Sequence, residues 1–253
     1  MRRAFAARDQ AIAVAGQSVV DSLTNLVAKA RPTINMPVAV CDDILRSDKY
    51  RTYDQRVDNF ERVPASEKNH ADRLSVGTRL FPRAEKDIVY AALSPNGDGL
   101  LNYGPIAVQW EVTAAYLEPR ISLLDENSYS FFVHYKLGEF DCEVPEGHRA
   151  IWNDRLDLII AKLGPSLTIA DTDEALAVRL LSSASSLDAD EFIEIHIFAD
   201  EGLDADDVIA VRVQGALSSE DELRFRLVKE ICNRTRANIA ISYAKLGSLS
   251  HVD

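Results

Sequence analysis

The run Phe192-Ile193-Glu194-Ile195-His196-Ile197-Phe198 restricts the fold of this chain more than any other stretch. Its period is two. Ile193, Ile195 and Ile197 fall on one side, and Phe192, Glu194, His196 and Phe198 on the other. Such a segment is a strand with one face against a core. It also sets a carboxylate and an imidazole side by side between two aromatic rings, which suits a lined cleft better than a bare solvent face. A strand block lies upstream, from Asp87 to Phe132. Asp87 to Leu93 is rich in β-branched and aromatic residues, and the turn Ser94-Pro95-Asn96-Gly97-Asp98-Gly99 follows it. Ile106 to Val112 alternates, Ile121 to Leu124 continues the apolar pattern, and Ser130 to Tyr135 reads as a further strand.

Helical spacing fills the rest. Phe5, Ile12, Val19, Val20, Leu23, Leu26 and Val27 predict one helix over 3–30, ended by Arg31-Pro32. Asp42-Asp43 suits a helix first turn, 53–68 reads as a polar covering loop, and a short helix at His70 to Leu74 closes at Gly77. Ala150 to Leu163 and a segment from Ala175 are helical by spacing, joined to the Phe192 strand by a serine-rich connection over 182–190. Val208 to Val213 is a strand. Ser219 to Asn233 is a helix with Ser219 as its cap, and Asn238 to Ala244 is a short apolar tail. Strands clustered apart from helices predict an α+β fold: a mostly antiparallel sheet core with flanking helices, over 35–253, preceded by an N-terminal helix over 1–32. That helix packs on its own domain or docks on a partner.

The chain has 253 residues, 27% of them charged, with a net charge of -12. This excess repels nucleic-acid backbone and anionic membrane over most of the surface. Two small basic clusters, one at Arg79, Arg83 and Lys86 and one from Arg224 to Arg236, read as solvated faces. Cys41, Cys142 and Cys232 are widely spaced and odd in number, so they read as buried apolar residues of a reducing compartment. The N-terminus lacks the pattern of a signal peptide, and no apolar run reaches the ~18 residues of a membrane span. A cytoplasmic protein is expected, or one exported by a dedicated secretion system. Asn96-Gly97-Asp98-Gly99 lacks the closing glutamate of a calcium loop, and the chain carries no zinc spacing, phosphate loop, nucleophile elbow or dinucleotide fingerprint.

Leu45 to Phe132, with Glu191 to Val213, resembles an uncharacterised bacterial domain family. The residues that carry the likeness are Tyr50-Arg51-Thr52, Tyr103-Gly104, Arg120-Ile121-Ser122, Asp125-Glu126-Asn127-Ser128, Glu194-Ile195-His196 and Asp207-Val208. Their layout is similar to that of the ADP-ribosyltransferase fold. The resemblance implies a bacterial toxin or effector that takes NAD as its substrate, cleaves the nicotinamide–ribose bond and passes ADP-ribose to a macromolecular acceptor. It implies Glu194 as the catalytic carboxylate with His196 assisting. Tyr90 or Tyr103–Gly104 would stand in the first motif, with a ring such as Tyr103 stacked on nicotinamide. Ser122 or Ser128 would stand in the second, and Arg120 on the pyrophosphate. The chain departs from that pattern in having no Ser-Thr-Ser triplet. A carboxylate near the ribose would stabilise the cation that develops there.

Two other classes follow from the residues alone. One is a hydrolase that uses Glu194 and His196 as an acid–base pair. The other is a non-catalytic module that docks a protein partner through the N-terminal helix and the acidic surface.

Overall fold

A computed structural model describes residues 2–64, 66–112, 117–134, 144–181 and 192–244. Tyr135, Cys142, Glu191 and the serine-rich connection lie outside them. The elements in chain order are α1 (Arg2–Ala15), α2 (Gln17–Lys29), β1 (Arg31–Met36), α3 (Val38–Ser47), β2 (Lys49–Tyr50), α4 (Tyr53–Asp58), α5 (Glu67–Leu80), β3 (Ile88–Ser94), β4 (Ile106–Trp110), β5 (Ile121–Leu124) and α6 (Ser128–His134). After these come β6 (Arg149–Ile151), α7 (Arg155–Leu163), α8 (Asp173–Leu181), β7 (Glu194–Phe198), β8 (Leu203–Asp204), β9 (Val208–Val213), α9 (Ser219–Thr235) and β10 (Ala240–Tyr243).

Eight strands form one sheet in the order β10-β9-β4-β1-β3-β7-β5-β6. Its pairings are antiparallel apart from the parallel β9–β10 contact. β2 and β8 make a separate ribbon. The α+β architecture with a mostly antiparallel core is therefore present.

The two faces of the sheet differ in chemistry. Register places Val89, Ile197 and Ile121 in one row, and Ala91, Ile195 and Leu123 in the next. These belong to the main core together with residues of α1, α2, α3, α7, α8 and α9. The opposite face carries Tyr90, His196 and Ser122 in one row and Ala92, Glu194 and Leu124 in the next. It is covered in part by α5 and α6, through Leu80, Phe131 and Phe132 on Leu124. Further along the same face Asn35 holds the 94–104 turn: its Nδ2 donates to the carbonyls of Asp98 and Gly104, and its Oδ1 accepts from Leu100 N–H.

Several local expectations are corrected. The N-terminal segment is two helices, because Gly16 takes a left-handed φ of 88° between them. Ala7, Ala11 and Ala15 line the buried side of α1, and their small size lets α7 and the turn after it approach closely: a Cβ at Gly164 would lie 2.9 Å from the Ala7 carbonyl oxygen. α2 adds Val19, Val20, Leu23 and Val27 to the same core, so the apolar stripe of these helices packs on the chain's own sheet. Arg31-Pro32 does more than stop a helix. It opens β1, a central strand, where the missing proline N–H is tolerated beside β3 at the pair Pro32–Leu93.

α3 starts directly after Pro37, a turn before the Asp42-Asp43 pair. The loop expected over 53–68 holds α4, capped reciprocally by Thr52 and Gln55, and α5 runs through Gly77 to Leu80. Ser130 to His134 belongs to helix α6 rather than a strand, and Phe131 and Phe132 pack together on Leu80. The segment 149–151 is β6, not the start of α7. Ser218, not Ser219, caps α9. Cys41 and Cys232 are buried, as expected, and burial pushes both thiols up. Arg236 leaves the solvated face predicted for its cluster: it is buried and binds Asp48 and Asp206, tying the end of α9 to the β2–β8 ribbon. Among the described residues no helix is long and apolar enough to cross a membrane.

Candidate functional site

The polar face of β7 carries the chemistry. Glu194 and His196 are two apart on that strand, and their side chains meet: His196 Nε2 lies 2.6 Å from Glu194 Oε1. The same oxygen accepts Ser128 N–H at 3.0 Å and also the Ser128 hydroxyl. α6 thus begins on a carboxylate supplied by the neighbouring strand. A carboxylate oxygen accepts, so the ring nitrogen that faces it, Nε2, is the one placed to donate. His196 Nδ1 is the other ring nitrogen. That atom is buried and has no hydrogen-bond partner among the described residues.

Aromatic rings hold the imidazole in place. Tyr90, its partner across β3–β7, meets it edge-on at 5.3 Å, and Phe81 from the end of α5 does so at 4.8 Å. Arg73 lies over the Tyr53 ring at 4.2 Å and the Tyr90 ring at 5.4 Å. Burial raises the Tyr90 phenol well above the ordinary value, the Glu194 charge adds to the rise, and Arg73 opposes it.

A cleft of about 690 Å³ opens beside the histidine. His196, Phe198, Ile88 and Ser122 line it from the sheet. Arg149 lines it from edge strand β6, and Phe81, Arg120 and Asp154 from the surrounding segments. Glu194 and Tyr90 do not line it; they stand behind the histidine. Arg149 Nε–H donates to Ser122 Oγ at 2.8 Å, and its guanidinium stacks on the Phe81 ring at 4.9 Å. Arg120 reaches Asp200 at 3.5 Å across the mouth.

The residues singled out in the sequence therefore divide. Glu194, His196, Tyr90, Ser122 and Ser128 come together on one face, with Arg120 at the edge of the cleft. Tyr103 and Gly104 do not join them. They precede β4, which is separated from β7 by β1 and β3, or about 15 Å at ordinary strand spacing. Tyr103 is 56% exposed, and Gly104 packs its backbone on Met36. Of the two aromatic residues flanking the dyad in sequence, Phe198 lines the cleft, whereas Phe192 packs on Ala92 and Leu100. Sequence reasoning missed Phe81, Arg149 and Asp154. Each lies outside the strand that carries the dyad: Arg149 is brought near it by the sheet order, Phe81 by the end of α5 and Asp154 by the turn before α7. No cluster of metal-ligating side chains occurs among the described residues. No protein-family model matches the chain, and no curated protein matches it either.

Proposed function

We propose that the chain is a hydrolase in which His196 is the general base and Glu194 its orienting carboxylate. The observation that supports this most is the 2.6 Å contact between His196 Nε2 and Glu194 Oε1, beside a cleft that the histidine lines and the glutamate does not. With Nε2–H donated to the carboxylate, Nδ1 is the nitrogen left to take a proton from water or a substrate hydroxyl, and because that atom is buried the step requires the packing of Phe81 and Tyr90 on the ring to open toward the cleft. The imidazolium that forms is stabilised by the charge behind it. A positioned acid–base group of this kind contributes about 100- to 10,000-fold in rate. Ser128 holds the carboxylate still, and Tyr90 and Phe81 limit the ring's rotation.

The NAD-cleavage reading implied by the family resemblance assigns the leading role to the other residue. There Glu194 itself must face the reacting ribose, although Oε1 is already engaged by Ser128 and His196. The two readings give opposite orders of damage. Hydrolysis of ester and phosphoester panels, and nicotinamide release from NAD, are followed for wild type, His196→Asn and Glu194→Gln, with circular dichroism to confirm folding. The dyad reading expects hydrolysis to fall about 100-fold or more in His196→Asn and less in Glu194→Gln. Nicotinamide release lost chiefly in Glu194→Gln would select NAD cleavage. Folded variants that keep wild-type hydrolysis would remove the dyad from catalysis.

A further inference from the structure

The cleft holds a cation that no carboxylate binds among the described residues. Arg149 makes no ion pair among the described residues; its hydrogen bonds go to Ser122 Oγ and, at 3.5 Å, to the Leu80 carbonyl. The residue is exposed overall, yet its guanidinium lies against Phe81, and burial there pulls its pKa below the ordinary arginine value. A chain with a net charge of -12 has acidic groups in excess, so an arginine left without one in a cleft is available to an external anion. Its plane is set by the Ser122 contact on one side and the ring on the other, which presents the remaining N–H groups as a fixed fork. That fork matches the paired oxygens of a phosphate.

The rest of the lining fits the remainder of such a ligand. Phe81, Phe198, Ile88 and Ile151 supply apolar walls. The charged lining residues are Arg149, Arg120 and Asp154, with Arg120 already directed at Asp200. Phe81 touches both the guanidinium and the imidazole, and Ser122, which Arg149 binds, lies opposite His196 across β5–β7, so Arg149 and His196 share one part of the cleft. A volume of about 690 Å³ is in the range of small-molecule sites.

We propose that this cleft binds an organic phosphate bearing a flat ring, of nucleoside monophosphate size, with Arg149 holding the phosphate and the ring lying among Phe81, Phe198 and Ile151. The inference rests on the cleft being the active site of the hydrolase proposed above and names the class of its substrate.

Calorimetric titration of the full chain with AMP, adenosine and inorganic phosphate tests it. AMP is expected to bind at least about tenfold more tightly than adenosine, and less tightly as salt rises. Arg149→Gln should weaken AMP by about ten- to a hundredfold and leave adenosine unchanged, the usual cost of one charge-assisted hydrogen bond. Arg149→Lys should fall between, since it keeps the charge and loses the fork. The proposal is overturned if wild type does not bind AMP, if adenosine binds as well as AMP, or if Arg149→Gln binds AMP like wild type. His196→Asn separates this proposal from the hydrolase reading. AMP binding retained with turnover lost supports both. AMP binding retained with turnover equal to wild type overturns the dyad and leaves the ligand class standing.

Discussion

Tyr90 lies edge-on to His196, within the field of Glu194, and that position predicts an alkaline limit to stability. Its folded-state pKa is raised, so the fold favours the neutral phenol. The stability this contributes is complete below the ordinary tyrosine value of about 10 and is lost as pH rises past it. Tyr90→Phe should therefore lose less stability than wild type between pH 9 and pH 11, roughly one unit either side of that value, when urea midpoints are compared. Part of the loss should remain, because burial raises the Tyr50 phenol as well. Equal losses in both proteins would mean that Tyr90 ionises freely in the fold. At this scale the period-2 rule read the shared direction of Glu194 and His196 correctly from sequence. It had no means of finding Arg149 or Phe81, whose places depend on β6 lying beyond β5 in the sheet and on the end of α5 reaching the His196 ring. It also drew in Tyr103 and Gly104, which end a similar strand-and-turn pattern on the far side of β3.

Elements with clear end signals were legible. The acidic first turn of α8, the glycine and proline after α7 and the alternation in β4, β7 and β9 all mark real structure. The misreadings have local causes. Pro32 resembles a terminator, yet β1 pairs on both sides; adjacent Phe131 and Phe132 favour a strand by propensity, but α6 begins where Glu194 accepts its first N–H, and both rings then reach Leu80. The turn between β3 and β4 gives a prediction. Gly104 has a φ of 149°, and an added Cβ would lie 2.2 Å from the Met36 carbonyl carbon. Backbone cannot yield as a side chain does, so Gly104→Ala should cost about 3 kcal/mol or more, combining strain with overpacking. For a chain of this size that is a fall in Tm of roughly 6–12 °C or more. Gly215, whose Cβ would meet open space, is the control: Gly215→Ala should leave the melting temperature almost unchanged.

The whole molecule depends on its N-terminal helices. Leu23 is fully buried in the main core, and Arg3 reaches across from α1 to Asp125 at 3.0 Å and to the Gly147 carbonyl. Leu23→Ala should cost about 2–5 kcal/mol, whereas Phe5→Ala, at a position 65% exposed, should be near neutral. Denaturant unfolding distinguishes the two outcomes, and an unchanged midpoint for Leu23→Ala would mark α1 and α2 as an accessory arm.

The pairing of β3 with β7 carries a consequence for synthesis. Ala92 lies opposite Glu194, about a hundred residues later in the chain. At ~5–20 residues per second, the outer edge of β3 emerges from the ribosome roughly 5–20 seconds before its partner. β1 can cover its other edge at once, because it has already been made. Until β7 arrives, a row of unpaired backbone groups along β3 faces the solvent of a nascent chain. The strand that completes the candidate site is thus also the one that ends this interval of exposure, so a ribosome stalled before residue 194 would hold an aggregation-prone edge open.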